Sequence, residues 1–317
     1  MKYVRLLESL SKRDLSIAGG KGANLGELMK AKIPVPEGFV VITPAYSKVV
    51  ESNGIKMQIA KLADLDMRKQ ELVDKHAKGL RTRIANTKLP EDIEDEILKA
   101  YRQLDCDSVA VRSSATAEDL KFASFAGQQS TYLNIRNERQ LLLAIKKCWA
   151  SLFNTNAIYY RESYGVSHSK TKLAVVVQKL VKSKKSGVMF TVNPVTKKDE
   201  IVIEAALGLG ELVVNGTITP DMYIVEKYFV DKAGNRIIKE VKVNTQEWAL
   251  YDERGKLVKE KLSKKDAERQ VLTKKEVQAL AEFGERIEKH YRSPQDIEWG
   301  IDDKLYILQA RPITNLK

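Results

Sequence analysis

The chain has 317 residues, 54 Lys and Arg against 42 Asp and Glu, a formal charge of +12, and two cysteines. That length exceeds the usual size of one core, so two lobes are expected. Its apolar runs, such as residues 173–177 and 201–207, are too short to cross a bilayer, and the opening Met1-Lys2-Tyr3-Val4-Arg5 has no signal-peptide core. A cytoplasmic protein with no membrane role is expected. Cys106 and Cys148 offer neither a disulfide framework nor metal-ligand spacing and are expected to be small buried residues. The positive excess invites a nucleic-acid partner, yet much of it lies in residues 256–275, where Lys and Arg alternate with Glu and Asp as on a solvated helix. No aromatic-rich binding strand accompanies that stretch, and no nucleic-acid role is expected. Abundant Lys, Glu, Ile and Val also matches heat-adapted composition.

Along the chain, Ala18-Gly19-Gly20-Lys21-Gly22 leads into a helical pattern over residues 23–31, closed by Ile33-Pro34-Val35-Pro36-Glu37-Gly38 before a strand at 39–42. Glycines entering a helix let N–H groups and a lysine approach phosphate; the alternative is a tight turn with an exposed lysine. It is not a Walker A loop, because Gly22 stands where Ser or Thr is required. Residues 44–104 read as helical, with Pro90 as a break. An extended stretch follows, Val109-Ala110-Val111-Arg112-Ser113-Ser114, then the small and hydroxyl-bearing residues from Ala115 to Ser130. That run could close over a triphosphate with Arg112 as anchor, or be a solvated connection. Residues 138–163 return to helix, with Trp149, Phe153, Tyr159 and Tyr160 as core.

Beyond residue 163 strands are expected at 173–180, 187–191, 201–205, 222–230 and 239–243, then a helix at 274–291. Leu207-Gly208-Leu209-Gly210 is not a dinucleotide fingerprint, since Val213 stands at its third glycine. Glu204, at the end of an apolar strand, is either a site residue or a capping acid. The three histidines, His76, His168 and His290, form no metal or triad constellation.

The chain ends in an expected hairpin, Asp296 to Arg311. Alternation puts Asp296 and Glu298 on one side, with Ile297, Trp299 and Ile301 on the other. On the return strand Gln309 and Arg311 oppose Tyr306, Leu308 and Ala310. A turn at Asp302-Asp303 with an even loop sets Asp296 across from Gln309 and merges the two polar rows; an odd loop splits them. Carboxylate and amide oxygens suit Mg²⁺, and a guanidinium beside them suits phosphate; a solvated edge hairpin is the alternative.

Taken in order, several blocks resemble the N-terminal nucleotide-binding domain of the phosphoenolpyruvate synthase (pyruvate, water dikinase) family. They are Gly19-Gly20-Lys21-Gly22-Ala23-Asn24-Leu25, Pro34-Val35-Pro36-Glu37-Gly38-Phe39, Val109-Ala110-Val111-Arg112-Ser113-Ser114-Ala115-Thr116-Ala117-Glu118-Asp119, Ser124-Phe125-Ala126-Gly127-Gln128-Gln129, Gly187-Val188-Met189-Phe190-Thr191 with Asn193-Pro194, and Gln309-Ala310-Arg311-Pro312. The resemblance implies an α+β, ATP-grasp-type nucleotide-binding domain of two or three subdomains, with ATP between two lobes. A helix-rich lobe over residues 1–165 and a mixed-sheet lobe over 166–317 are expected. The resemblance also implies ATP and Mg²⁺ as cofactors. Lys21, Arg112 and Arg311 take catalytic phosphate-binding roles, Gly127 and Thr131 bound the loop over the triphosphate, and Gln178, Lys179 and Leu180 meet adenine mainly through backbone groups. Asp296, Glu298, Gln309 and Arg311 form the metal and phosphate cluster, with Glu298 and Gln309 as metal ligands, and Glu204 joins the nucleotide-binding set.

In the family this domain passes the β-phosphoryl portion of ATP to a histidine in a Thr-Ser-His segment of a separate domain, and the phosphohistidine then phosphorylates pyruvate at a barrel domain. No Thr-Ser-His occurs here, so the expectation is an ATP-binding module that is a fragment or a split subunit. Alternatives are the ATP domain of a rifamycin phosphotransferase-like enzyme and a non-catalytic nucleotide-binding subunit.

Overall fold

The computed structural model describes residues 1–116, 130–253 and 255–314, and their contacts separate into two units. One comprises residues 1–27 and 37–180, the other 28–36 and 181–317. The boundary expected at 165/166 falls ahead of this division, because the strand at Leu173–Lys179 pairs within the first unit's sheet.

The first unit contains β1 (Val4–Leu6), α1 (Leu15–Lys30, running into residues grouped with the second unit), β2 (Gly38–Val41), α2 (Thr43–Ser52), α3 (Lys56–Ala60), α4 (Gln70–Asn86), α5 (Glu91–Leu104), β3 (Val109–Ala115), β4 (Thr131–Ile135), α6 (Glu138–Ser151), α7 (Thr155–Ser163) and β5 (Leu173–Lys179). Its antiparallel sheet runs β1-β2-β5-β3-β4. Phe39, Val41, Val109, Val111, Val175 and Val177 share one core with Val49, Leu80, Ile93, Ile97, Ile145 and Trp149 from the helices. The α5 positions Ile93, Ile97, Ala100 and Leu104 are buried at the three- and four-residue spacing that lines one helix face. Residues 173–178 are all buried, so β5 reads as a continuous apolar run instead of an alternating one.

The second unit contains β6 (Lys185–Phe190), β7 (Glu200–Leu207), α8 (Glu211–Val214), β8 (Asp221–Val230), β9 (Arg236–Lys242), β10 (Trp248–Glu253), β11 (Lys256–Lys261), α9 (Lys264–Ala267), α10 (Lys274–Tyr291), β12 (Gln295–Ile301) and β13 (Leu305–Pro312). Its large antiparallel sheet runs β13-β12-β6-β7-β8-β9. The register aligns Ile297, Met189, Ile203 and Tyr223 across four strands. All four are buried on the face that α10 covers, where Gly284 sits so close that a Cβ there would lie 3.1 Å from the Met189 side chain. A Thr273–Glu276 capping box starts α10, and Arg292 in left-handed backbone ends it.

Three expectations change. Residues 256–275 are not one solvated helix: 256–261 form β11 against β10, and only 264–267 are helical before α10. The cause lies outside the stretch, since Lys259 and Lys261 pack over the Trp248 ring at 4.9 and 6.0 Å and register with Leu250 and Trp248 on β10. The helix expected over 138–163 is two, α6 and α7. Trp149 and Phe153 are core and Tyr159 packs against it, but Tyr160 is half-exposed and stacks with Tyr164 at 4.6 Å. His168 is not in an open turn: it is buried, its Nδ1 accepting from the Arg161 guanidinium at 2.9 Å and its Nε2 lying 2.7 Å from the Glu162 carboxylate.

Candidate functional site

In the first unit the glycine cluster is a break inside α1. Gly19 has φ +68°, and a Cβ there would lie 2.2 Å from the Ser114 carbonyl oxygen, so glycine is required both for the left-handed backbone and for the approach. Ser114 Oγ donates to the Ala18 carbonyl at 2.8 Å and accepts from the Gly22 N–H at 3.1 Å. One hydroxyl thus fixes the start of the helix on the end of β3. Lys21 lies in the first turn after the break, half-buried. Arg112, two residues before Ser114, points to the same sheet face. It is half-buried and sits across from Thr131 on β4 and Val176 on β5. Thr131 is exposed, and Gly127, with most of the expected phosphate loop, lies outside the described residues.

Gln178 is buried between Ala110 and Gly38 on neighbouring strands. The N–H groups of the next two residues already donate, Lys179 to the Glu37 carbonyl at 2.9 Å and Leu180 to the Ser108 carbonyl at 3.0 Å. The Lys179 ammonium pairs with the Glu37 carboxylate at 2.7 Å, a bond that raises its pKa.

In the second unit the terminal hairpin assembles the acids, the amide and the arginine on one face, in a different register from that expected. Asp296 pairs with Arg311, not Gln309, and Glu298 pairs with Gln309. The loop between Ile301 and Leu305 is the odd one, residues 302–304, with Lys184 reaching Asp302 and Asp303 at 3.2 Å each. An odd loop alone would put the two polar rows on opposite faces. The rows merge because the register shifts between Glu298 and Trp299, making Leu308 the extra residue of a β-bulge. Tyr306 consequently falls opposite Gly300, on the polar side, instead of sharing a side with Ala310.

The Arg311 guanidinium donates through Nε and Nη2 to Asp296 Oδ2 at 2.8 and 2.7 Å. Burial pushes the Asp296 carboxyl above the ordinary range, Arg311 opposes that shift, and Glu298 adds to it. Glu204 registers with Val188, which registers with Glu298, so it occupies the same face two strands away. Burial raises its pKa, and the Asp296 charge raises it further. Among the described residues, no group of three or more His, Cys, Asp and Glu is close enough to hold a metal by itself. Facing each other across β12 and β13, Glu298 and Gln309 supply one carboxylate and one amide oxygen, hard donors of the kind Mg²⁺ takes while it keeps water and phosphate in the rest of its shell.

The other residues singled out in the sequence hold this face in place. A Cβ on Gly187 would lie 1.8 Å from the Glu204 carbonyl oxygen and 2.8 Å from the Trp299 ring, so only glycine lets the indole pack over β6. The Thr191 hydroxyl accepts from the Gln295 N–H at 2.8 Å, and the Asn193 amide donates to Glu200 at 2.8 Å. Sequence reasoning missed two determinants: Ser114, visible only as part of a Ser-Ser pair, and the Leu308 bulge, for which the sequence carries no local signal.

Residues 15–317 match the family model described as pyruvate phosphate dikinase, AMP/ATP-binding domain. The chain belongs to that family. Curated relatives of this AMP/ATP-binding domain include a probable phosphoenolpyruvate synthase of Methanothermobacter thermautotrophicus, 46% identical over 100% of this chain and 46% of its own length. One from Archaeoglobus fulgidus is 47% identical over 98% and 41%, and the phosphoenolpyruvate synthase of Pyrococcus furiosus is 41% identical over 100% and 44%. The chain therefore spans less than half the length of these relatives. A solved D-alanyl-alanine synthetase A from Vibrio cholerae overlaps 70% of the chain at 14% identity with a TM-score of 0.26, too slight a likeness to decide the fold. No helix among the described residues is long and apolar enough to cross a membrane.

Proposed function

We propose that the chain is the Mg-ATP-binding part of a phosphoenolpyruvate synthase-like enzyme with ATP-grasp architecture, acting in the cytoplasm. The observation that carries this reading is the hairpin face, where a bulge at Leu308 brings Asp296, Glu298, Gln309 and Arg311 together. Membership of an AMP/ATP-binding family supports it. Two free cysteines agree with a reducing compartment.

In this reading Glu298 and Gln309 hold Mg²⁺, Arg311 takes phosphate oxygens, and Asp296 orients the guanidinium. Mg²⁺, when bound, offsets charge on the transferring phosphoryl groups. Glu204 completes the acidic face. In the first unit Lys21, at a helix N-terminus, and Arg112, on the same sheet face, take phosphate, joined by the segment containing Gly127 and Thr131. Gln178, Lys179 and Leu180 recognise the base. Because the N–H groups of Lys179 and Leu180 are occupied, that recognition uses the Gln178 side chain and backbone carbonyls.

The β-phosphoryl portion of ATP passes to a histidine supplied by a separate domain or subunit, for conversion of pyruvate, ATP and water to phosphoenolpyruvate, AMP and phosphate at a barrel domain. Support for an outside acceptor comes from the chain's own histidines: His168 is buried against Arg161 and Glu162, and His76 and His290 lie on α4 and α10. Calorimetric titration of Mg-ATP into the wild type, Arg311→Ala and Glu298→Ala tests the assignment. Both variants are expected to bind far more weakly; tight binding unaffected by either change would sink it.

A further inference from the structure

Thr131 on β4 pairs with Arg112, so its neighbour Tyr132 projects to the opposite sheet face and packs against the helical core. There, on the side away from Arg112, a cleft of about 290 Å³ is lined by Arg81 and Thr82 of α4, Tyr132, Lys147 and Ser151 of α6, and Asn154. Among the described residues its charged side chains are both cations. Some cations of this unit sit against acids, as Arg102 does against Glu138 and Lys48 against Asp92, and others against backbone carbonyls, as Lys146 does on Thr87. Arg81 donates Nη1 to the Phe153 carbonyl at 2.7 Å, and Lys147 sits 5.8 Å from the Tyr132 ring centroid. The Asn154 side chain makes no capping bond to α7, although Asn154 is that helix's N-cap.

We propose that this cleft is a binding site for a small organic phosphate. A guanidinium with free N–H groups, an ammonium, an amide and the Thr82 hydroxyl offer donors to the terminal oxygens of a phosphomonoester. Among the described residues the lining contains no carboxylate to repel it. The Tyr132 ring gives the organic part an apolar wall, and the volume suits a compact molecule, not an extended one. None of the residues offered as donors, Arg81, Thr82, Lys147 and Asn154, belongs to the set proposed for Mg-ATP, whose phosphate segment touches the cleft only at Ser130, so the two assignments are tested separately.

Phenyl phosphate, titrated by calorimetry and amide NMR into the full chain with chelator present to silence metal-dependent binding, is the test. Saturable binding is expected, with resonance shifts at Thr82, Tyr132 and Asn154. Lys147→Gln, at an exposed position, is expected to weaken it about tenfold and Arg81→Gln with Lys147→Gln about hundredfold, while Arg311→Ala leaves it unchanged. Absence of saturable binding, indifference to Lys147→Gln, or loss on changing Arg311 or Lys21 instead would overturn the proposal.

Discussion

The two units set their polar groups by different means. In the first, Lys21 is placed by one left-handed glycine, a local feature, and by one hydroxyl from a distant strand, Gly19 and Ser114. In the second, Asp296, Glu298, Gln309 and Arg311 share a face only because a bulge at Leu308 cancels an odd loop. A charge at a helix start is positioned by its own backbone and by the one anchor that holds that backbone. A charge on a strand is positioned by the register of its neighbours, and one residue of slip sends it to the other face.

The sharpest way to break the contrast is to delete Ala310. Gln309 and Arg311 then become neighbours on one strand, so one of them must leave the face that carries Asp296 and Glu298. Mg-ATP binding measured by calorimetry is expected to disappear while circular dichroism keeps its α+β signature; retained binding would show that register does not build the site. Smaller is the loss expected from Arg311→Ala, about hundredfold in Mg-ATP affinity, the range of one charge-assisted bidentate contact together with the half-buried Asp296 carboxylate left without it.

In the first unit, Ser114→Ala leaves the buried Gly22 N–H without its acceptor and is expected to cost about 1–3 kcal/mol, read as a lower midpoint in denaturant titration. An unchanged midpoint would mean that the glycine break holds itself. Smallest is a pH effect at Glu204. Its folded pKa is raised, mainly by burial and further by Asp296, so it favours the folded state only while protonated. That stability is present below the ordinary carboxylate range and is lost as pH rises through the raised value. Glu204→Gln should flatten this fall in a series of melts just above the ordinary carboxylate range and weaken Mg-ATP binding at neutral pH. If the wild-type melts show no such slope, the coupling of Glu204 to Asp296 is wrong.

Legibility followed the same division. The apolar spacing of α5 and α10 and the buried run of β5 were readable because each reports its own periodicity. Residues 256–261 were misread as helix because their strand depends on Trp248 and Leu250 across the hairpin. His168 looked like a surface turn, since its partner Arg161 is a buried arginine that no local pattern announces. At the site, the residue types were visible and their pairing was not: Asp296 faces Arg311, and the expected partner Gln309 faces Glu298.

By itself, then, the amino-acid order determined which chemistry is present. Glycines precede a lysine at a helix start, an Arg-Ser-Ser follows an apolar strand, and oxygen donors with an arginine stand near the end. Those are properties of composition and short spacing. Tertiary structure alone decided that the polar residues of β12 and β13 point the same way, that Glu204 shares their face from two strands away, and that Arg81 and Lys147 line one cleft. Each depends on pairing between strands or helices distant in sequence, where a single inserted residue reverses every side chain beyond it.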